Sequence, residues 1–520
     1  MPGSAEEIDS GPTNLVGDLN DELIGQSVWT DAMLTRAGIP IVDVPFVSVG
    51  GGIGSFVMAD YLRIAGVPAS QIRVLTAIDE PWQTYQYLTR VSQIPVGERL
   101  RSDAASSPDN IWGFPSYAVR EAFSERRPTK ILAPLWNVFT EPILTDYFTP
   151  KAGQVFRGLQ READRIDYWL MPVRGTVRMV RMNSAGGYFS ILSPKPGTAS
   201  TARVAYRSRF VHIAVGYPGL KFLPDLQEYR QKHRDYGRVV NAYEPHEHVY
   251  ESLQRRPSVI LVRGSGIVAS RILQRLIDDR DQRGSQTTIV HLFRTYITGA
   301  HGPNLFMRRR GRHGWAYQGF NWPKSTWGGQ LLHQVDRLEG EDRKRAYGQN
   351  DGTTTPHRKL WIKQLERGRQ RGWYQEMVGQ VVAVEPGEHN VIVTKIKTEE
   401  GIVPLSADFV VDATGLEGDI REHRVLADLL DHSGAMRNPL GRLAVERSFE
   451  IRGTRSEPGR AYAVGTATLG SYFPGVDTFL GLQYGAQHIT DDLASLGFCR
   501  RITPARSISQ WWRWMRNRKP

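Results

Sequence analysis

Cysteine is almost missing from this chain: Cys499 is the only one in 520 residues. A single thiol excludes a disulfide framework and a CxxC redox pair, and so excludes a thiol–disulfide reductase. No apolar run approaches the roughly 20 residues that cross a bilayer. The first thirty residues are acidic and polar and do not read as a signal peptide, so a cytoplasmic protein is expected. Zinc-finger spacings and other nucleic-acid signatures are absent as well. The formal net charge of +12 therefore points to other anions, such as phosphorylated cofactors or a lipid surface, and not to nucleic acid. His212, His291, His301 and His313 are scattered, so no metal site is indicated. No acid–base triad is visible either, which leaves the catalytic side chains unassigned.

What is present is that of a globular protein, with 40% hydrophobic and 23% charged residues. A chain of 520 residues is too long for one core, and two or three domains are expected. The 51 glycines and 13 tryptophans are in excess; glycine suits close backbone approach to a ligand, and aromatic rings suit a flat one. The informative stretch is Pro45 to Ala59. An apolar run breaks at Gly50, Gly51 and Gly52, passes through Ile53, Gly54 and Ser55, and resumes with helical spacing at Phe56, Val57, Ala59, Leu62 and Ile64. This predicts a strand, a tight turn and a helix. Gly50 permits the turn, Gly52 lets the backbone approach a pyrophosphate, and Ser55 and Ala59 let helix and strand pack closely. The pyrophosphate would sit at the helix N-terminus, where free N–H groups and the dipole favour an anion.

Residues 1–40 read as a partly disordered N-terminal extension. Ile72 to Ile78 reads as the second strand, whose end carries the ribose-binding acid in this kind of unit. Thr76 falls at that place, and Asp79 is the acid just beyond it. Within residues 81–130, rich in Trp, Tyr, Arg and Pro, Leu100 to Asp103 and Asn110 to Pro115 have no regular period and read as long, ordered, functional loops. Val173 to Val180 and Gly186 to Leu192 predict a short antiparallel meander, leading into a buried strand from Arg209 to Pro218. A second unit follows: a strand at Ser258–Val262, the turn Gly264-Ser265-Gly266-Ile267-Val268-Ala269, and a helix through Ile272 to Ile277. Its second strand, Thr287 to Phe293, ends in Arg294, where an acid would repel a 2′-phosphate and a guanidinium holds one; this favours NADPH over NADH. Residues 299–375 are irregular and basic, and read as a lid or an interface. Trp373 to Val384 and Val391 to Lys395 read as a second small β unit feeding a buried strand that ends at Asp412-Ala413-Thr414-Gly415. A last strand ends at Gly465 and Thr466, and a helix is expected to begin near Thr478, its N-terminus aimed at a flavin or phosphate. The tail, Ser507 to Lys519, interleaves Trp with Arg. It fits either packing against the protein or weak, reversible contact with a membrane interface.

In this order the pieces resemble the two-dinucleotide-binding-domain flavoproteins, and within them the flavin-dependent monooxygenases, including the N-hydroxylating amine monooxygenases. The resemblance covers about residues 43–495. It implies an α/β fold of two Rossmann-like domains, the second inserted in the first, with small antiparallel β meanders. The FAD domain would comprise residues 41–235 and a return segment 401–497. The NAD(P) domain would comprise 236–400 with its insertion 299–375, and 498–520 would be a basic tail. FAD would lie on Gly50, Gly52, Ile53, Gly54, Ser55 and Asp79, with Arg101, Val177, Ala214 and Gly216, and under Gly465, Thr466 and Thr478. NADPH would lie on Gly264, Gly266, Ala269 and Arg294, beside Thr414 and Gly415. Three departures stand out: Val215 where the family's crossover has Thr, Thr466 where many members have an acid, and Thr76 near the ribose position. The implied reaction is hydride transfer from NADPH to FAD, then hydroxylation of a small-molecule substrate through a C4a-(hydro)peroxyflavin. An NAD(P)H dehydrogenase serving a quinone or protein, and a non-catalytic flavin-binding protein, remain open, as does a homo-oligomer.

Overall fold

The computed structural model describes residues 17–99, 150–194, 202–299, 310–317, 330–350, 355 and 358–520, together with Leu132, Trp136 and Thr140. Two parallel sheets organise it. In the first, the order is β5 (Pro172–Arg174), β4 (Ile72–Thr76), β3 (Phe46–Gly50), β9 (Phe210–Ala214) and β20 (Arg460–Ala463), all parallel. Phe46, Val47 and Val49 are buried because helices cover both faces of such a sheet. Helix α3 (Ile53–Ile64) starts at Gly52 and buries Phe56, Val57, Ala59, Leu62 and Ile64. The second sheet repeats the plan with β15 (Tyr374–Val378), β12 (Thr288–Phe293), β11 (Val259–Arg263), β19 (Phe409–Asp412) and β10 (Val239–Asn241). Its first helix is α6 (Ile267–Arg283), which starts at Gly266.

A meander interrupts each sheet at the same place. Strands β6 (Thr176–Asn183), β7 (Tyr188–Ser193) and β8 (Val204–Ser208) pair antiparallel between β5 and β9. Strands β16 (Gln380–Pro386), β17 (Ile392–Thr398) and β18 (Gly401–Ala407) do the same between β15 and β19. The runs 173–180 and 373–384, each read from the sequence within one small β unit, are divided between a parallel sheet and its meander. The division falls on a glycine both times. A Cβ on Gly175 would lie 2.5 Å from the Ser193 carbonyl, and one on Gly379 would lie 2.6 Å from Ile396 Cγ2. Hydrophobic period alone does not see that break, since the side chains alternate straight through it.

Residues 17–40, the described part of the extension read as partly disordered, are ordered. Helix α1 (Asp21–Gly25), β1 (Val28–Trp29) and α2 (Asp31–Arg36) cover the first meander, with β1 parallel to β6 and β2 (Ile41–Asp43) parallel to β8. The short apolar patch explains the order: Leu23, Trp29 and Leu34 are fully buried, and Trp29 Nε1 donates to Leu23 O at 2.9 Å. Part of the basic insertion is ordered too. A hairpin of β13 (Arg310–Arg312) and β14 (Trp315–Tyr317) and helix α7 (Lys359–Gln370) pack onto the second core. Trp315 meets Trp361 edge to face at 4.9 Å. The helical stretch 330–350 reaches the other way, Tyr347 Oη donating to Ser471 O at 2.9 Å.

The tail forms α9 (Pro504–Met515), capped by Thr503 Oγ1. It docks on the end of α3, where Arg506 Nη2 donates to Ile64 O at 2.7 Å. Trp514 is buried under the Arg161 guanidinium, 5.3 Å from the ring centroid. The opposite face leaves Ile508, Trp512 and Met515 exposed at 69%, 49% and 43%, which is one stripe at helical spacing.

Candidate cofactor sites

The two parallel sheets end in the same device. Gly50 has φ +119° and Gly264 has φ +127°, and a Cβ on either would run into a backbone carbonyl, of Ala214 and of Ala413 respectively. Ala214 ends β9 and Ala413 directly follows β19, so each crossover segment named from the sequence packs directly on the first glycine of its turn. After each turn a glycine caps a helix without a side-chain bond: Gly52 for α3 and Gly266 for α6. The first intrahelical bonds are Phe56 N to Gly52 O and Ser270 N to Gly266 O, both 3.1 Å. The N–H groups of Ile53, Gly54 and Ser55, and of Ile267, Val268 and Ala269, are thus left without helical acceptors. A Cβ on Gly52 would meet open space. That gap beside uncapped N–H groups fits a pyrophosphate.

The remaining assigned residues divide around these turns. A Cβ on Gly54 would lie 3.0 Å from Ala214 Cβ and 3.4 Å from Leu482 Cδ2. Leu482 belongs to α8 (Phe479–Ser495), so the first turns of α3 and α8 stand side by side. Thr466 Oγ1 donates to Gly216 O at 2.9 Å, tying the closing segment to the crossover. Gly465 has φ +76° and opens the turn that makes this reach. Thr478 caps α8, accepting from Gly481 N at 3.1 Å and donating to Gly475 O at 2.7 Å. Its hydroxyl is therefore engaged locally, and the free donors at that helix end are backbone. Thr76 is buried against Gly51, its Oγ1 accepting from Ile78 N at 3.1 Å. Asp79 lies past the strand end with its side chain 68% exposed, 3.1 Å from Arg174 of β5. Val177 is buried on β6 opposite Leu192, and Ser55 and Ala269 are buried. Arg294 is exposed just after β12. Thr414 is held by Asp412, whose Oδ1 accepts from Thr414 Oγ1 at 2.6 Å while Oδ2 accepts from Leu223 N at 2.7 Å. Gly415 has φ +135° and open space beyond it. Arg101, and the loops 100–103 and 110–115, lie outside the described residues.

The sequence assigns no role to two contributors, Asp412 at the head of the Asp412–Gly415 segment and His291. Asp412 is fully buried; burial raises its pKa against the pull of its three donors. His291 on β12 contacts Gly264 O through Nε2 at 2.6 Å and Tyr374 Oη through Nδ1 at 2.9 Å. A carbonyl can only accept, so Nε2 carries the proton and Nδ1 accepts from the tyrosine. The second turn is thus held from beneath by a neutral histidine. Its only sequence signal was a polar residue inside a buried strand. Among the described residues no group of three or more His, Cys, Asp or Glu could hold a metal ion. Cys499 is partly buried, and burial pushes its thiol up to about 12.

No family model and no curated protein matches the chain. Solved structures do. The ornithine hydroxylase of Pseudomonas aeruginosa superposes with a TM-score of 0.62 at 15% identity, over 88% of this chain and 100% of that one. The FAD-bound cadaverine monooxygenase of the desferrioxamine pathway in Erwinia amylovora gives 0.64 at 13% identity, over 89% and 96%. The chain has the fold of the amine-hydroxylating flavin monooxygenases. The bacillithiol disulfide reductase of Bacillus cereus also matches, with 0.51 at 11% identity over 87% and 99%. This monooxygenase fold therefore occurs with more than one chemistry, and the site has to carry the choice.

Burial pushes His291 down to about 4, below its ordinary value near 6.5. Above about pH 6.5 the histidine is neutral folded or unfolded and its contribution is complete. As pH falls from there towards 4 the unfolded chain takes up a proton that the fold refuses. Stability then drops by about 1.4 kcal/mol per pH unit. Urea unfolding followed at several pH values should show this slope, and His291→Leu should flatten it. At pH 7.5 the same variant frees the Gly264 carbonyl, so NADPH binding should weaken about tenfold with flavin content unchanged. An unchanged slope together with unchanged NADPH affinity would remove this role.

Proposed function

We propose that the chain is an FAD-dependent monooxygenase that consumes NADPH and hydroxylates a small-molecule substrate. The observation that carries this is the pair of equivalent turns, each a glycine on a crossover carbonyl followed by an uncapped helix with its N–H groups free. Two dinucleotides are what two such turns hold. FAD would lie on the first turn and under Gly465, using segments 41–235 and 401–497; NADPH would lie on the second, within 236–400. Bound FAD, reduced by NADPH, would supply the oxygen chemistry. The protein would orient the rings and keep water out. The single Cys499, its thiol held protonated by burial, speaks against the reductase chemistry found on the same fold. The helical stretch 330–350, bonded to the 471–473 backbone, is suited to a lid over the first site.

Gly52→Asp tests the first site. The open space beyond Gly52 accommodates the side chain, and Asp is a good N-cap, so the variant should fold at least as stably as the parent. Its carboxylate would occupy the pyrophosphate position, and the purified variant should carry no flavin absorbance. The parent should show that absorbance, lose it on addition of NADPH, and incorporate oxygen into product; absence of any bound or rebindable flavin would end this reading.

Arg294, exposed at the end of β12, is suited to the 2′-phosphate of NADPH. Arg294→Ala should raise KM for NADPH about tenfold or more and leave KM for NADH alone. Equal effects on both would reject the assignment.

A second reading, a dehydrogenase delivering electrons to a membrane quinone, is favoured only by α9. Its exposed Ile508, Trp512 and Met515 lie among Arg513, Arg516 and Lys519, a pattern suited to weak, reversible contact with acidic headgroups. Co-sedimentation with phosphatidylserine vesicles that falls in Trp512→Ser would support that contact. No binding by the parent at low salt would dispose of it.

A further inference from the structure

A cavity of about 670 Å³ runs along the seam between the two dinucleotide folds. One wall is α4 (Gln83–Val91), the loop 93–98 and the start of α5 (Ala152–Arg165); the other is α6 and the start of α7. Its apolar surface comes from Ile94, Pro95, Val96, Phe156, Leu360 and Trp361. Val96 and Leu360, each 71% exposed, stand at its mouth. From the cavity a chain of rings leads to the start of α8: Phe156 meets Tyr85 at 6.1 Å, and Tyr85 meets Phe479, the first residue of α8, at 5.3 Å. On the other side the cavity passes Arg271, one turn into the helix that starts at Gly266.

The charges of this cavity do not cancel. Arg90, Arg271, Arg275 and Arg358 line it against Glu98 and Asp278. Glu98 is taken by Arg271, and Arg275 is satisfied by Gln93, Glu247 and Asp279. Asp278 accepts from Gln274 Nε2 at 2.8 Å. Arg358 makes no salt bridge among the described residues; Glu98 and Asp278 act on it only through longer-range attraction. Arg358 donates to Ser270 Oγ at 2.9 Å, stacks 4.8 Å from the Trp361 centroid, and leaves Nε and Nη1 without acceptors. Burial, with Arg271 nearby, pushes this guanidinium down to about 10. A buried charged donor without an acceptor is costly, and an incoming carboxylate would relieve it.

From this geometry we infer that the seam binds a small molecule with an apolar body and one carboxylate head, and that Arg358 is the residue selecting it. Its role as the substrate site rests on the monooxygenase reading above; its ligand class rests on the cavity itself. The same cationic wall disfavours a protonated diamine such as the cadaverine named for the Erwinia enzyme.

The test is fluorine NMR of the full-length, flavin-loaded protein with para-fluorobenzoate and para-fluorobenzylamine, two probes of one size and opposite charge. The benzoate should bind about tenfold more tightly or better. Arg358→Gln should abolish that preference while flavin absorbance and the thermal midpoint stay unchanged, and Arg358→Lys should keep part of it. Equal or tighter binding of the amine, no binding of the benzoate at millimolar concentration, or benzoate binding indifferent to Arg358→Gln would each overturn the inference. Loss of folding in the glutamine variant would leave the lysine variant and the parent's charge preference to decide. A protein that never holds flavin yet binds the benzoate through Arg358 would reject the monooxygenase reading and keep the anion site. The opposite failure is a flavin-loaded, NADPH-oxidising protein with no charge preference.

Discussion

Everything in this structure hangs on the contact between a glycine and a carbonyl. Gly50 lies on the Ala214 carbonyl and Gly264 on the Ala413 carbonyl, too close for any Cβ. Because the central strand and the crossover strand touch there, the helix that follows begins directly above the sheet with its first N–H groups uncovered. A larger residue would push strand from crossover and lift the helix. The whole arrangement of two anion-binding ends therefore depends on two positions without side chains.

Around each contact the chain is built the same way. A third parallel strand passes through one glycine into a three-stranded meander, which returns through a single residue, Arg209 or Asp408, to the crossover strand. The halves differ in what supports the turn. Beneath Gly51 lies the neutral Thr76, whereas Gly264 is gripped by His291, itself held by Tyr374. The second turn therefore depends on a buried polar chain that works only while its histidine is neutral.

Charge is distributed to match. The net +12 is not spread evenly: many arginines are spent on structural partners, such as Arg181 on Asp428 and Arg165 on Glu162. Arg358 in the seam makes no salt bridge among the described residues, and Arg294 stands exposed at the end of β12. Long-range attraction of anionic ligands follows from the total, but discrimination depends on where single groups such as Arg358 are placed.

The sequence by itself determined the local pieces: strand, turn and helix at Gly50 and at Gly264, the crossover strands, and the cap at Thr478. These depend on hydrophobic period and on residues with special backbone freedom, which are readable one segment at a time. It did not show which part of residues 1–40 is ordered: the few apolar groups of 17–40 find a face to bury them on the first meander. It also read Val173 to Val180 as one strand of a meander, since alternation continues unbroken through Gly175. Only the tertiary structure set Asp79 against Arg174, placed His291 under Gly264, and brought Arg358 to the seam beside Arg271. Those partners are brought together from separate strands, helices and loops. Such pairings are fixed by how sheets and helices pack, and no local pattern in the chain encodes them.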